Sequence, residues 1–136
     1  MKINESAENY LETILMLCKK NGHVRSIDIA HELSFSKPSV SIAMKALREK
    51  GHISIDDNGN ILLTKQGLEI AEYVFERHQI IASALMALGV DEETAYEDSC
   101  KIEHDISDVS FNKIKEFLSK NKPSTSRSGD IDVVLL

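Results

Sequence analysis

The sequence predicts a mainly α-helical protein with one small β-hairpin, built as a front half of short elements and a back half of longer helices. Three observations carry that reading. Apolar residues recur at three- and four-residue steps through several segments, most of them opened by Ser, Thr or Asp. Asn58-Gly59, one of two Asn-Gly pairs, sits between two short apolar runs, a strong local signal for a two-stranded turn. Charge is also divided: residues 1–64 carry eight basic and eight acidic side chains, whereas residues 65–136 carry eight and fourteen. The whole net charge of −6 therefore belongs to the second half.

Taken in order, the first helix is expected from about Ser6 to Lys20, with Ser6 as its N-cap. Tyr10, Ile14 and Leu17 recur at helical spacing, Leu11 and Leu15 widen the stripe, and Asn21-Gly22 ends it. A short helix follows with Ser26 as its cap and Ile27, Ala30 and Leu33 on its inner face. Ser34-Phe35 makes a tight turn, and Ser36 caps a third helix with Pro38 in the first turn, where a missing N–H costs nothing. That helix turns Val40, Met44 and Leu47 inward and ends at Lys50-Gly51. His52–Ile55 and Asn60–Leu63 read as hairpin strands. Thr64 caps a long helix that stops near Gly89, Asp91 opens another to about Ser107, and a last one spans roughly Val109 to Lys120. The predicted division is 1–64, 65–121 and a flexible tail at 122–136, whose Ser- and Pro-containing start cannot build a core.

Composition excludes several classes. A content of 42% hydrophobic and 28% charged residues suits a soluble globular chain rather than a disordered one. No apolar run approaches the roughly 20 residues a membrane span needs, since even Leu11–Leu17 contains Glu12 and Thr13. The start lacks the basic-then-apolar layout of a signal peptide. Two cysteines, Cys18 and Cys100, do not make a disulfide scaffold and point to a reducing compartment. The expected location is the cytoplasm, with no membrane partner.

Helix, tight turn, helix and hairpin is the layout of a winged helix-turn-helix, whose second helix enters the DNA major groove. Its start here presents Ser36, Lys37, Pro38, Ser39 and Ser41, and Lys45 and Arg48 can follow the phosphate backbone. Lys37, Lys45, Arg48 and Lys50 outweigh Glu49 over residues 36–50, and a local patch of this kind attracts phosphate whatever the total charge. Double-stranded DNA is the expected partner. A plain helical domain with solvated serines and lysines is the competing reading. Asp56 and Asp57 at the wing tip would repel phosphate, so the wing is expected to lend shape and little affinity.

In the long helix, Leu68, Ala71, Phe75, His78, Ala82 and Leu85 form one stripe, while Ile70, Val74, Ile81, Ala84 and Leu88 form another. A helix apolar on two faces is buried on both, as in a dimer scaffold. Further on, Cys100, Glu103 and His104 stand at i, i+3 and i+4, so thiolate, carboxylate and imidazole share one helix face. All three are ligands for first-row metals. Without other support, the same residues also suit a core cysteine beside solvated neighbours.

Tyr10-Leu11-Glu12, Arg77-His78 and Cys100-Lys101-Ile102-Glu103-His104, in this order and on three separated helices, resemble the signature of metal-dependent regulators related to the diphtheria toxin repressor and the manganese transport regulator. The resemblance covers about residues 5–120. It implies a homodimeric repressor that binds operator DNA when loaded with Fe(II) or Mn(II), with Co(II) and Zn(II) as further metals in vitro, and that controls iron or manganese homeostasis. Carried over, the metal ligands are Glu12, His78, Cys100, Glu103 and His104, with Asn9 at the variable ligand position. Asn9 replaces the Asp or Met usual there, and Cys100 matches the iron-responsive branch. Ala82 and Tyr96 stand where that branch has the ligands of an ancillary site. Ile42 stands where the family more often has a polar base reader. The chief alternative is a metal-independent winged-helix regulator. An enzyme using Cys100 as nucleophile and His104 as base lacks any accompanying substrate-pocket signature, so no catalytic residue and no small organic substrate are expected.

Overall fold

The computed structural model describes residues 4–121, so the expected tail at 122–136 lies outside the described residues. Six helices and one hairpin follow in the order α1 (Glu5–Asn21), α2 (Ser26–Leu33), α3 (Lys37–Glu49), β1 (Ile53–Ile55), β2 (Ile61–Leu63), α4 (Lys65–Ala87), α5 (Glu92–Asp105) and α6 (Asp108–Lys120). The chain divides after Tyr73, within α4, into two compact units.

In the first unit, α1 begins slightly earlier than its sequence suggests. The cap is Asn4 rather than Ser6: its side-chain oxygen accepts from the Ala7 amide at 2.8 Å, which leaves Ser6 inside the first turn. Tyr10, Leu11, Ile14, Leu15 and Leu17 are buried as expected. On α2 the buried residues are Ile29 and Ala30, while Ile27 is 37% exposed, so the inner face is rotated from the one expected. The cap of α2 is Arg25 rather than Ser26, which falls inside the first turn because the Asp28 carboxylate accepts from the Arg25 amide at 2.9 Å. Ser34 takes the left-handed conformation at φ 58°, and the Phe35 amide reaches back to the Ala30 carbonyl at 3.0 Å, closing the tight turn. Ser36 caps α3 by accepting from the Ser39 amide, and Val40, Met44 and Leu47 point into the core.

The hairpin is antiparallel with Ile53 opposite Leu63 and Ile55 opposite Ile61. The Ile61 amide also donates to the Val24 carbonyl at 2.8 Å, so the segment before α2 anchors the wing's second strand. Thr64 caps α4 by accepting from the Gly67 amide at 3.1 Å and donates to the Gly51 carbonyl at 2.7 Å. Gly67 is required by close approach rather than by φ: a Cβ there would lie 1.9 Å from the His52 carbonyl oxygen.

In the second unit, Asp91 caps α5 by accepting from the Thr94 amide, and Ser107 caps α6 by accepting from the Ser110 amide. Ile80, Ile81 and Phe111 form a buried cluster, with Leu85, Ile106, Ile114 and Leu118 packed against it. Arg77 is 2% exposed and runs through the middle of this unit. Its Nη2 donates to the Glu103 and Ile106 carbonyls at 3.0 and 2.8 Å, and its Nη1 pairs with Asp108 at 3.0 Å. The guanidinium also lies 4.7 Å from the Phe111 ring centre. One side chain thus pins the end of α5, the start of α6 and the helix from which it springs.

Candidate metal centre and nucleic-acid interface

The i, i+3, i+4 arrangement on α5 brings three donors together. One ligand atom each from Cys100, Glu103 and His104 lies within 4.8 Å of the others. The Glu103 and His104 side chains are 1% and 4% exposed, with His104 Nε2 3.4 Å from Glu103 Oε1. Charged and polar groups this deep are costly to bury unless paired or held on an ion. His78 reaches the same region from α4, with a ring nitrogen and a Glu103 carboxylate oxygen also within 4.8 Å. Glu103 is therefore shared between the α5 trio and the α4 histidine. Thiolate, carboxylate and two imidazoles form a donor set suited to a divalent first-row transition metal, and poorly suited to calcium or magnesium.

The orientation of His78 is set by a residue that sequence reasoning did not assign to the site. Its Nε2 lies 3.2 Å from the Tyr96 carbonyl oxygen, which can only accept. In the neutral ring the proton then sits on Nε2 and the lone pair on Nδ1. A ligating histidine commonly donates its second N–H to a carbonyl in this way. Tyr96 is itself fixed, its hydroxyl donating to Gln79 Oε1 at 2.9 Å and its ring meeting the His78 ring edge-on at 5.6 Å. Burial, followed by the nearby Glu92 charge, raises the Tyr96 phenol above its ordinary value, so it stays protonated and able to donate. The sequence signal was spacing: Tyr96 precedes Cys100 by four residues and so lies on the same side of α5. Asn9 and Glu12 lie on α1 in the other unit, with Glu12 5% exposed and Asn9 half-buried.

In the first unit, Lys37, Pro38, Ser39, Ser41, Lys45 and Arg48 are all exposed along α3. The Ser36 hydroxyl is engaged at the cap, accepting from the Ser39 amide and donating to Ser39 Oγ at 2.9 Å. It shapes the helix start rather than projecting from it. Lys37, Lys45 and Arg48 supply positive charge along a helix whose first turn contains no acid. The wing tip keeps the negative charge of both aspartates, and one of them also shapes the turn. The Asp56 carboxylate folds into the turn, accepting from the Asn58 and Asn60 amides at 2.9 Å each. The bond from the Asn60 amide leads the effects that hold this carboxyl below its ordinary value. Arg25 adds to the lowering and donates to the Asn58 carbonyl, tying the loop before α2 to the wing tip. Asp57 remains exposed.

Two family models cover almost all of this layout. Residues 2–59 match the iron dependent repressor, N-terminal DNA binding domain, and residues 64–130 match the iron dependent repressor, metal binding and dimerisation domain. The chain is 33% identical over 122 residues to the HTH-type transcriptional regulator MJ0568 of Methanocaldococcus jannaschii, spanning 88% of this chain and 98% of that protein. It is 30% identical over 129 residues to the HTH-type transcriptional regulator MntR of Bacillus pumilus, spanning 95% and 90%. Among solved structures it resembles the manganese regulator SloR, with a TM-score of 0.74 and 30% identity. That likeness covers 92% of this chain but 57% of SloR. ScaR with bound Zn2+ is also similar, with a TM-score of 0.69 and 26% identity, over 86% of this chain and 54% of that one.

Proposed function

The chain belongs to the iron-dependent repressor family of metal-dependent transcriptional regulators, and from that premise we propose that its second unit senses a divalent metal and thereby sets how two copies of α3 meet operator DNA. The observation that carries this reading is the convergence of Cys100, Glu103 and His104 within 4.8 Å on α5, in the segment matched to a metal-binding domain. The match to the metal-binding model is also why the metal-independent alternative is not favoured.

Each residue has a definite task. Cys100 supplies a soft thiolate, Glu103 a buried carboxylate, and His104 and His78 imidazole nitrogens. Tyr96 selects the His78 tautomer through its carbonyl oxygen. Arg77 holds the carbonyl of Glu103 and so fixes the last turn of α5. Glu12 and Asn9 on α1 complete the proposed ligand set from the DNA-binding unit, on the strength of the sequence resemblance. Fe(II) or Mn(II) would be held by Cys100, Glu103, His104 and His78 and would supply the positive charge that neutralises these buried donors. Co(II) and Zn(II) fit the same donor types in vitro.

The reading includes a homodimer, because operators read by helix-turn-helix dimers present half-sites about 34–36 Å apart or multiples of it. A metal that favours one arrangement of the units shifts DNA affinity only through its differential affinity for that arrangement, and about 5.5 kcal/mol takes a population from 1:99 to 99:1. Operator DNA lies in the cytoplasm, which is where this function places the protein. Among the described residues no helix is long and apolar enough to cross a membrane. No step of this account requires a bond to be made or broken in a substrate, so the protein acts as a binding switch rather than an enzyme.

The test is binding of the purified protein to the DNA upstream of its own coding region, with and without Mn(II), Fe(II), Co(II) or Zn(II). Metal-stimulated binding that is lost in both Glu103→Ala and His104→Ala supports the proposal. Equal binding in the presence of a chelator, or wild-type stimulation in both variants, overturns it.

A further inference from the structure

The middle of α3 carries a side chain that neither phosphate binding nor the core explains. Ile42 is 72% exposed, although its neighbours Val40 and Met44 are almost wholly buried. It sits one turn beyond Pro38, on the same helix face, with the exposed Ser41 and Lys45 beside it. Scattered exposed apolar residues are ordinary on any surface. This one stands at the centre of a strongly basic stretch, between Lys37, Lys45 and Arg48, where the charge fits a polyanion.

We infer that Ile42 is a specificity-determining residue that reads the 5-methyl group of a thymine in the major groove. The inference rests on the proposed DNA-binding function and deepens it. An isoleucine has no donor or acceptor, so it gains nothing from the hydrogen-bonding edges of guanine, cytosine or adenine. Thymine alone presents a methyl group in that groove. The cap geometry supports the assignment. The Ser36 hydroxyl is engaged with Ser39, which leaves the residues one turn further along, Ser41 and Ile42, to meet base edges. The exposed Pro38 ring, one turn earlier, continues the apolar ridge toward the adjacent base step.

The experiment uses duplexes recovered from a random DNA pool by the full-length, metal-loaded protein. Each thymine of the recovered site is replaced in turn by deoxyuridine, which removes the methyl and leaves the hydrogen-bonding edge intact. The expected result is at least one position per half-site where the parent binds about fourfold more weakly without the methyl. Ile42→Ala is expected to bind the thymine and deoxyuridine duplexes equally at that position. Its exposure makes the substitution harmless to the fold, which a thermal unfolding curve checks. Tolerance of every deoxyuridine by the parent, or unchanged methyl sensitivity in Ile42→Ala, overturns the inference while leaving the DNA-binding reading standing. Failure of the metal-loaded protein to recover any duplex overturns that reading and the inference with it.

Discussion

Replacing Arg77 by methionine tests whether the proposed metal ligands on α5 are held in place by a residue outside that ligand set. Methionine keeps much of the buried stem and removes the guanidinium. The variant forfeits two charge-assisted bonds to the Glu103 and Ile106 carbonyls, each worth about 1.5–3 kcal/mol. The pair with Asp108 adds little, because that carboxylate is 73% exposed and solvent-screened. The approach to the Phe111 ring contributes about 0.5–2 kcal/mol. Against these stands the relief of no longer burying a charge, which amounts to several kcal/mol. The net expectation is a loss of about 2–4 kcal/mol, in the range of broken buried networks. The assay is urea unfolding of metal-free protein at one fixed concentration, since dimers are stabilised by mass action. A parallel metal titration should show weaker binding, because Glu103 and His104 lose the anchor at their own turn. Arg77→Lys should restore part of the stability, because a point charge reaches one carbonyl and not two. A Met variant within about 1 kcal/mol of the parent, with metal affinity unchanged, would refute the reasoning.

Three further outcomes follow from the geometry. Gly67→Ala should destabilise the DNA-binding unit by at least about 3 kcal/mol in thermal unfolding, because the new methyl meets the His52 carbonyl, which is itself held by the Thr64 amide. A stability loss near the ordinary effect of a surface substitution would contradict the close approach. Lys45→Ala and Arg48→Ala together should reduce the log–log salt dependence of DNA binding by about 0.9 for each phosphate no longer neutralised, and an unchanged slope would remove both from the interface. Cys100→Glu should raise the response to Mn(II) relative to the other metals and weaken Zn(II) binding, since a hard carboxylate replaces a soft thiolate. Equal metal preferences in variant and parent would take Cys100 out of the selectivity argument.

Much of this architecture was legible because its signals are local. Ser36, Thr64 and Asp91 are caps whose chemistry can be read from a few residues, and Asn58-Gly59 marks the hairpin directly. The Cys100, Glu103 and His104 face needs only the helical repeat to be recognised. Local signals also explain the errors. Asn4 and Ser6 are both good caps, and the choice between them depends on where the chain enters α1. Ile27 and Ile29 are equally apolar, and only the packing of the first unit decides which one is buried. The task of Arg77 could not be read from neighbours, because its partners lie 26 to 31 residues away. The same holds for Tyr96, whose carbonyl meets His78 across 18 residues. Asp56 could be read as a charge but not as a turn residue, because its bonds to the Asn58 and Asn60 amides depend on the loop's own conformation.

The central claim is that metal and operator DNA are coupled through one protein, and thermodynamic linkage makes the coupling measurable from the metal side. If metal tightens DNA binding by some factor, operator DNA must tighten metal binding by the same factor. The measurement is a metal titration of the dimer with and without a saturating operator duplex, at constant salt. The account predicts a tighter metal affinity in the presence of DNA, by the ratio found when DNA is titrated with and without metal. Identical metal affinities with and without the duplex would contradict it.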